Sequence, residues 1–85
     1  MPYSVKFTPR AHRDFAALDR VVQHRLRRSI DRLTENPFPV GAKKLNAEEP
    51  FYRIRVGHFR VIYQGETNEL AVIVVKIGRR RDVYR

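Results

Sequence analysis

The sequence contains no cysteine and no tryptophan, and only 9 acidic residues stand against 18 lysines and arginines. Without cysteine the chain can form neither a disulfide framework nor a thiolate metal site. Its three histidines, His12, His24 and His58, lack metal-ligand spacing, and the chain has no phosphate-binding or dinucleotide-binding glycine motif. We therefore expect neither a metal site nor a cofactor.

Long apolar runs are missing as well. No stretch near the N-terminus has the apolar run of a signal peptide, and none approaches the roughly 20 residues of a membrane span. We therefore expect a cytoplasmic protein with no membrane partner. A length of 85 residues predicts a single domain over residues 1–85 with a modest core.

The excess of positive charge is the strongest compositional signal. The formal net charge is +9, and 14 of the 18 basic residues are arginine. Arginine binds phosphate groups through two parallel hydrogen bonds and stacks on aromatic faces. This composition therefore predicts a polyanionic partner, with nucleic acid as the first candidate.

A β-hairpin is predicted over residues 52–63. Polar and apolar residues alternate in both halves, and Gly57 and His58 between them suit a type II′ turn. This turn sets the register and places Arg55 opposite Arg60. One face of the hairpin is then apolar, and the other carries three arginines. The apolar face comprises Tyr52, Ile54, Val56, Phe59, Val61 and Tyr63, and the charged face comprises Arg53, Arg55 and Arg60.

The charged face of this hairpin has two interpretations. Like charges directly opposite each other destabilise a pair of strands. Three guanidinium groups on a rigid sheet are explained if an anion, most simply a phosphate, binds among them. The alternative is a solvated face on which the arginine side chains point away from one another.

Two helices are predicted before the hairpin. Residues 3–7 alternate as a half-buried strand, and Thr8 followed by Pro9 then predicts the start of a helix that reaches about residue 18. Asp19 can cap a second helix over residues 20–35. The apolar positions of the second helix recur every three or four residues and so form a stripe along one face. We therefore expect the two helices to form a hairpin that packs on the sheet. These apolar positions are Val22, Leu26, Ile30 and Leu33.

The rest of the chain predicts a long connection and one more strand. Residues 36–50 contain three prolines and a glycine, and Leu45 should anchor this connection to the core. The apolar run over residues 70–77 predicts a central strand that is covered on both faces. The predicted fold class is α+β, with an N-terminal strand, a helical hairpin and a three-strand antiparallel meander in one small sheet (β-α-α-β-β-β).

Further basic residues lie on the second helix, in the connection and after the last strand. On the helix they point outward, where they either are simply solvated or contact a large polyanion. The candidates for such contacts are Arg25, Arg28, Arg32, Lys43, Lys44, Arg79 and Arg81.

The segments "YRIRVGHFRVIYQ" and "VVKIGRRRDVYR", in this order of elements, resemble the RelE-type toxins of the RelE/ParE toxin–antitoxin superfamily. The resemblance covers essentially the whole chain. It implies a metal-independent mRNA endoribonuclease that acts on the ribosome, where the ribose 2′-hydroxyl attacks the adjacent phosphate. It also implies a cognate antitoxin, RelB-like or another small protein, as partner. The basic residues outside the hairpin then become candidate contacts to mRNA and the ribosome.

The resemblance assigns catalytic roles to Arg53, Arg55, Arg60, Arg80 and Tyr84. The arginines would stabilise negative charge on the phosphate, and the tyrosine would stack on a base. The best-known members have lysines at the positions of Arg53 and Arg55. Because an arginine effectively cannot act as a base, the general base stays open, and His58 in the turn is one candidate.

Two other functions remain open. The ParE-type toxins share this fold and poison DNA gyrase, although they generally lack the full set of basic residues. A non-catalytic RNA-binding module would explain the charge, but not the arginine cluster on the sheet together with the terminal tyrosine.

Overall fold

The computed structural model describes residues 3–79 and contains two helices and five strands in this part of the chain. The elements are β1 (Ser4–Phe7), α1 (Pro9–Ala16), α2 (Arg20–Leu33), β2 (Lys43–Lys44), β3 (Phe51–Val56), β4 (Phe59–Glu66) and β5 (Ala71–Arg79). All five strands form one sheet in the order β1-β5-β4-β3-β2, in which only β1 and β5 pair in parallel. The predicted α+β order is confirmed, with the short edge strand β2 as an addition.

Both helices begin at the predicted caps. The Thr8 hydroxyl accepts a hydrogen bond from the Ala11 amide at 3.2 Å, and an Asp19 carboxylate oxygen accepts one from the Val22 amide at 3.0 Å. Each bond satisfies one of the amides that the first helical turn leaves without a partner. Both helices end about two residues earlier than predicted. Within residues 3–79, no helix is long and apolar enough to cross a membrane.

The helices pack on one face of the sheet and form the core with it. Leu26, Ile30 and Leu33 of α2 are buried, as the spacing predicts. Ala11 of α1 is also fully buried, and Phe15 packs against the core beside the Phe7 ring. The sheet supplies the other half of the core, which consists of Ile54, Val61, Tyr63, Val72, Val74 and Ile77.

The hairpin has the predicted register. Arg55 pairs with Arg60, Val56 with Phe59, and the remaining pairs follow out to Phe51 and Gln64. Gly57 has a φ of 61°, whereas His58 is not among the described residues with a positive φ. A positive φ at the first central position alone is the signature of a type II′ turn, which glycine adopts without strain.

Strand β5 differs from its prediction in two respects. It begins at Ala71, because Leu70 adopts a left-handed φ of 52° in the preceding turn, and it continues through to Arg79. The prediction that both faces of this strand are fully covered was too strong. Val72, Val74 and Ile77 are buried toward the helices, whereas Ile73 and Val75 are only half-buried.

A β-bulge interrupts the pairing of β4 with β5. Ile62 pairs with Lys76, but its neighbour Tyr63 pairs with Val74, so Val75 is an extra residue on β5. An extra residue shifts the alternation of side chains by one position. As a result, Val74 and Ile77 both face the core, and Lys76 lies on the opposite face of the sheet.

The connection over residues 36–50 is held mainly by hydrogen bonds and ring packing, and Leu45, the predicted anchor, is not among the residues that pack against the core. The Leu45 amide donates to the Phe51 carbonyl at 3.0 Å, and β2 adds two residues of pairing to β3. The buried Tyr63 hydroxyl donates to the Pro37 carbonyl at 2.5 Å, and the Phe38 ring packs against Tyr52 with 4.8 Å between ring centroids. The connection is therefore fastened to the hairpin at both ends.

The Tyr63 hydroxyl is expected to stabilise the fold in a pH-dependent way. Burial, and secondly the neighbouring Tyr52, raise the pKa of this phenol above its usual range. Tyr63→Phe should lower the free energy of unfolding by about 1–3 kcal/mol, because the Pro37 carbonyl loses its donor. Because the pKa of Tyr63 is higher in the folded protein than in the unfolded chain, the hydroxyl makes its full contribution to stability below a pH of about 10, the pKa of an unperturbed tyrosine. As the pH rises above this value, the contribution is progressively lost.

The measurement is thermal unfolding of the parent and Tyr63→Phe from about pH 8 to about pH 11. The difference in Tm between the two proteins should shrink as the pH rises. Tyr3→Phe, at a partly buried tyrosine that packs against the core, controls for general alkaline destabilisation. A difference in Tm that stays constant over this range would contradict the role assigned to the hydroxyl.

Candidate active site

The sheet face opposite the helices carries two rows of side chains that run across the strands. Pairing of β2 with β3, β3 with β4 and β4 with β5 aligns the first row, which consists of Lys43, Arg53, Ile62 and Lys76. The same pairing aligns the second row, which consists of Arg55, Arg60 and Gly78. We call the five cations of these rows, Lys43, Arg53, Arg55, Arg60 and Lys76, the basic face.

The arginines of the basic face differ in burial. Arg53 and Arg60 are each only 7% exposed, whereas Arg55 between them in the hairpin is exposed. Two of the three guanidinium groups are therefore held within the surface of the protein and are not freely solvated. Such side chains are restricted in position before any ligand arrives, which favours binding of an anion at a defined place.

Gly78 is the third member of the second row. It lies directly opposite Arg60 on β5 and presents no side chain at the third position of the second row. A glycine within a strand often marks a place where a ligand or another backbone comes close to the sheet. The second row therefore consists of two arginine side chains and one position without a side chain.

No carboxylate belongs to either row, so every ionisable side chain in the two rows is basic. Preorganised donors of this kind stabilise negative charge that develops on a phosphate during reaction. The arrangement can bind a phosphodiester and stabilise a pentacoordinate phosphorus, which is what cleavage of RNA requires of a site without a metal.

Three candidate residues lie on the helix side instead. Arg25, His58 and Arg79 line a cleft of about 570 Å³ between the α1–α2 corner and the end of the hairpin. The Arg79 guanidinium lies over the Phe59 ring, 5.5 Å from its centroid. The Arg25 guanidinium lies against the turn, since a Cβ added at Gly57 would be 3.3 Å from it. These three side chains are separate from the basic face.

The other candidates are distributed as follows. Arg28 is exposed on α2, and Lys44 pairs with Tyr52, which places it on the helix side of β2. Arg32 and Lys43 line another cleft together with Arg53 and Arg55. Arg80, Arg81 and Tyr84 lie outside the described residues, so their assignment stays a prediction.

Lys76 is the residue that sequence analysis missed. It follows the apolar run of β5, and simple alternation from the buried Val72 and Val74 would place it toward the helices. The bulge at Val75 brings it to the basic face, in register with Ile62. Only the pairing of β5 with β4 could have revealed this position.

Comparison with known proteins agrees with the fold and the motifs. Residues 5–84 match the family described as ParE toxin of type II toxin-antitoxin system, parDE. A RelE-like protein of Escherichia coli is 32% identical over 88 residues, which cover 99% of this chain and 92% of that protein. The mRNA interferase toxin RelE of Escherichia coli K12 is 27% identical with the same coverage.

Solved structures of RelE proteins share the architecture. The archaeal RelE–RelB complex from Pyrococcus horikoshii OT3 matches with a TM-score of 0.83 at 25% identity, and covers 96% of this chain and 99% of that chain. The intact Escherichia coli RelBE toxin–antitoxin complex matches with a TM-score of 0.78 at 26% identity, over 91% of this chain and 95% of that chain. The chain therefore belongs to the RelE/ParE superfamily of type II toxin–antitoxin systems, as a RelE-type toxin.

Proposed function

We propose that this toxin is a ribosome-dependent mRNA endoribonuclease that inhibits translation without a metal ion or cofactor. The basic face carries the proposal, because it holds buried Arg53 and Arg60 together with exposed Arg55 on one face of the hairpin. The similarity to the mRNA interferase toxin RelE of Escherichia coli K12 supports the same reaction.

In the proposed reaction the ribose 2′-oxygen attacks the adjacent phosphorus, and the bond from phosphorus to the 5′-oxygen breaks. The products are a 2′,3′-cyclic phosphate and a 5′-hydroxyl, and no water is consumed in this step. Arg53, Arg55 and Arg60 bind the phosphoryl oxygens and stabilise the extra negative charge of the transition state. Arg80 and Tyr84 complete the site in this proposal, the first as a further cation and the second by stacking on a base.

Two protons must move, one from the 2′-hydroxyl and one to the 5′-oxygen. Arginine holds its proton too tightly to exchange it, whereas lysine donates a proton as an ammonium and accepts one when its pKa is depressed. The basic face contains two lysines, Lys43 and Lys76, and Lys76 lies one row from Arg60. His58 is the less suitable candidate, because it lines the cleft on the helix side. We assign to Lys76, as an ammonium, donation of a proton to the leaving 5′-oxygen, while solvent water takes up the proton of the 2′-hydroxyl.

The basic residues outside the catalytic set should bind the ribosome and the mRNA backbone. Those within residues 3–79 lie on several surfaces of the domain, so they would raise affinity without taking part in bond cleavage. Each phosphate contact releases counterions, and binding should therefore weaken as salt is added. This set comprises Arg25, Arg28, Arg32, Lys43, Lys44, Arg79 and Arg81.

The proposed protein partner is a RelB-like or other small antitoxin. Two observations support it: RelE structures that resemble this chain were determined as complexes with RelB, and the net charge is +9. An acidic, partly disordered antitoxin segment that becomes ordered on binding would match this charge. Action on translating ribosomes would place the toxin in the cytoplasm.

A ParE-type function is the second candidate, because the matching family is described by the ParE toxin. In this case the target is DNA gyrase, and the basic face would contact protein or DNA without cleaving RNA.

Primer extension on a reporter mRNA after brief induction distinguishes these functions. We expect cuts inside translated codons, which disappear when the start codon is removed and when the antitoxin is co-expressed. An uncut reporter together with gyrase-linked DNA breaks would establish the ParE-type function, and growth inhibition with neither result would contradict both.

A further inference from the structure

A second cleft, of about 490 Å³, opens between α2 and the β2–β3 edge of the sheet. This volume lies within the range of small-molecule sites, about 300–1,000 Å³. Four of its lining residues are cations from three different elements: Arg32 of α2, Lys43 of β2, and Arg53 and Arg55 of β3. Three of these belong to the basic face, so the cleft is continuous with the candidate active site.

The floor of this cleft is apolar. Leu33 and Ile54 are buried and line it beside Pro39. No acidic side chain is among the residues that line it, and the described part of the chain gives Arg32 no ion pair. By contrast, Arg27 on the same helix is paired with Asp31 at 3.3 Å. The cleft therefore combines four basic side chains, with no acidic one among its lining residues, and an apolar surface.

Arg53 is the most informative residue of this cleft. Its side chain is only 7% exposed, and the one hydrogen bond found for it within residues 3–79 is a long one, 3.5 Å from Nη1 to the Gly41 carbonyl. A guanidinium carries five N–H donors, so most of them are available to a ligand. The space beside Gly41 is open, because a Cβ added there would meet no atom within 4 Å.

We propose that this cleft binds one nucleotide of the RNA strand next to the cleaved phosphodiester. Its phosphate lies between Arg32, Lys43 and Arg53, and its sugar and base pack on Leu33 and Ile54. Arg53 contacts this phosphate and is itself part of the basic face, and so sets the distance between the bound nucleotide and the cleavage site. The placement along RNA rests on the proposed function, whereas binding of a nucleotide does not.

Isothermal titration calorimetry with adenosine 5′-monophosphate tests the site directly, without a ribosome. Arg32→Ala should weaken binding about tenfold or more, since a hydrogen bond to a charged group contributes about 1.5–3 kcal/mol. Arg20→Ala, an exposed arginine on the same helix away from the cleft, is the matched control and should leave the affinity unchanged. Amide chemical shifts of Ser29 and Gly41 should move on titration, because both residues line the cleft.

A second variant keeps every charge and fills the space. Gly41→Leu should be tolerated by the fold, because Gly41 has no positive φ and open space around it, and it should weaken nucleotide binding to a similar degree. On programmed ribosomes, Arg32→Ala and Gly41→Leu should raise the concentration needed for half-maximal cleavage about tenfold, and change the maximal single-turnover rate by less than about twofold.

Four outcomes would overturn the proposal. The first two are that the parent does not bind the nucleotide at millimolar concentration, and that Arg32→Ala and Gly41→Leu both bind it with the parental affinity. The other two are that the amide chemical-shift changes are confined to other surfaces, and that inorganic phosphate binds as tightly as the nucleotide. If the parent binds the nucleotide through this cleft but cuts no mRNA, the proposed function fails and the nucleotide site stands.

Discussion

Arg60→Met is expected to lower the single-turnover rate of mRNA cleavage by about 10²–10³ while the protein remains folded. Arg60 lies at the centre of the second row, between Arg55 on β3 and Gly78 on β5. Its burial holds the guanidinium in place before the substrate binds. Methionine keeps most of the side-chain volume and removes the charge, so the transition state loses one preorganised donor.

The measurement is cleavage on programmed ribosomes at saturating toxin, with thermal unfolding as the control for folding. Arg60→Lys should retain more activity than Arg60→Met, because it keeps a cation but loses the planar donor pair. Arg13→Met, an exposed arginine on α1, should cleave at the parental rate. A folded Arg60→Met protein with the parental rate would contradict the catalytic role of the basic face.

Leu26→Ala is expected to lower the free energy of unfolding by about 2–5 kcal/mol, because it removes a fully buried side chain and leaves a cavity. Leu26 lies in the middle of α2 and belongs to the same core as Ile54 and Val61 of the hairpin. For a domain of this size, each 1 kcal/mol shifts Tm by about 4–8 °C, so the variant should melt well below the parent.

Val21→Ala is the matched control for this prediction, since Val21 lies on the same helix and is 72% exposed. It should change the free energy of unfolding by no more than about 0.5 kcal/mol. Chemical denaturation of both variants gives the comparison. Equal effects of the two substitutions would mean that α2 does not pack on the sheet as described.

The hairpin links stability to the proposed chemistry, because its two faces serve different purposes. Ile54 and Val61 pair with each other and face the core, and the neighbouring pair of Arg55 and Arg60 faces outward. The core side fixes the strands, and the strands in turn fix the arginines. Mutations in the core should therefore reduce cleavage by unfolding the protein, whereas mutations on the basic face should reduce cleavage in a folded protein.

The local features of this chain could be predicted from the sequence because neighbouring residues determine them. Strict alternation on both sides of Gly57 sets the hairpin register, since a strand has a side-chain period of two and a two-residue turn leaves no freedom to slip. Thr8 and Asp19 mark the helix starts for a similarly local reason, because their side chains bond to amides three residues away. The three outward arginines of the hairpin follow from the same alternation.

Three features depended on the tertiary structure, because each requires contact between distant parts of the chain. The pairing of β4 with β5 places the bulge at Val75 and thereby brings Lys76 to the basic face. The pairing of β2 with β3 creates an edge strand within a segment whose prolines and glycine predict only a loop. Packing of α2 beside that edge brings Arg32 to the cleft that Arg53 also lines. The sequence alone therefore determined which side chains of the hairpin point away from the core, whereas the fold decided the orientation of Lys76 and which of the outward side chains meet.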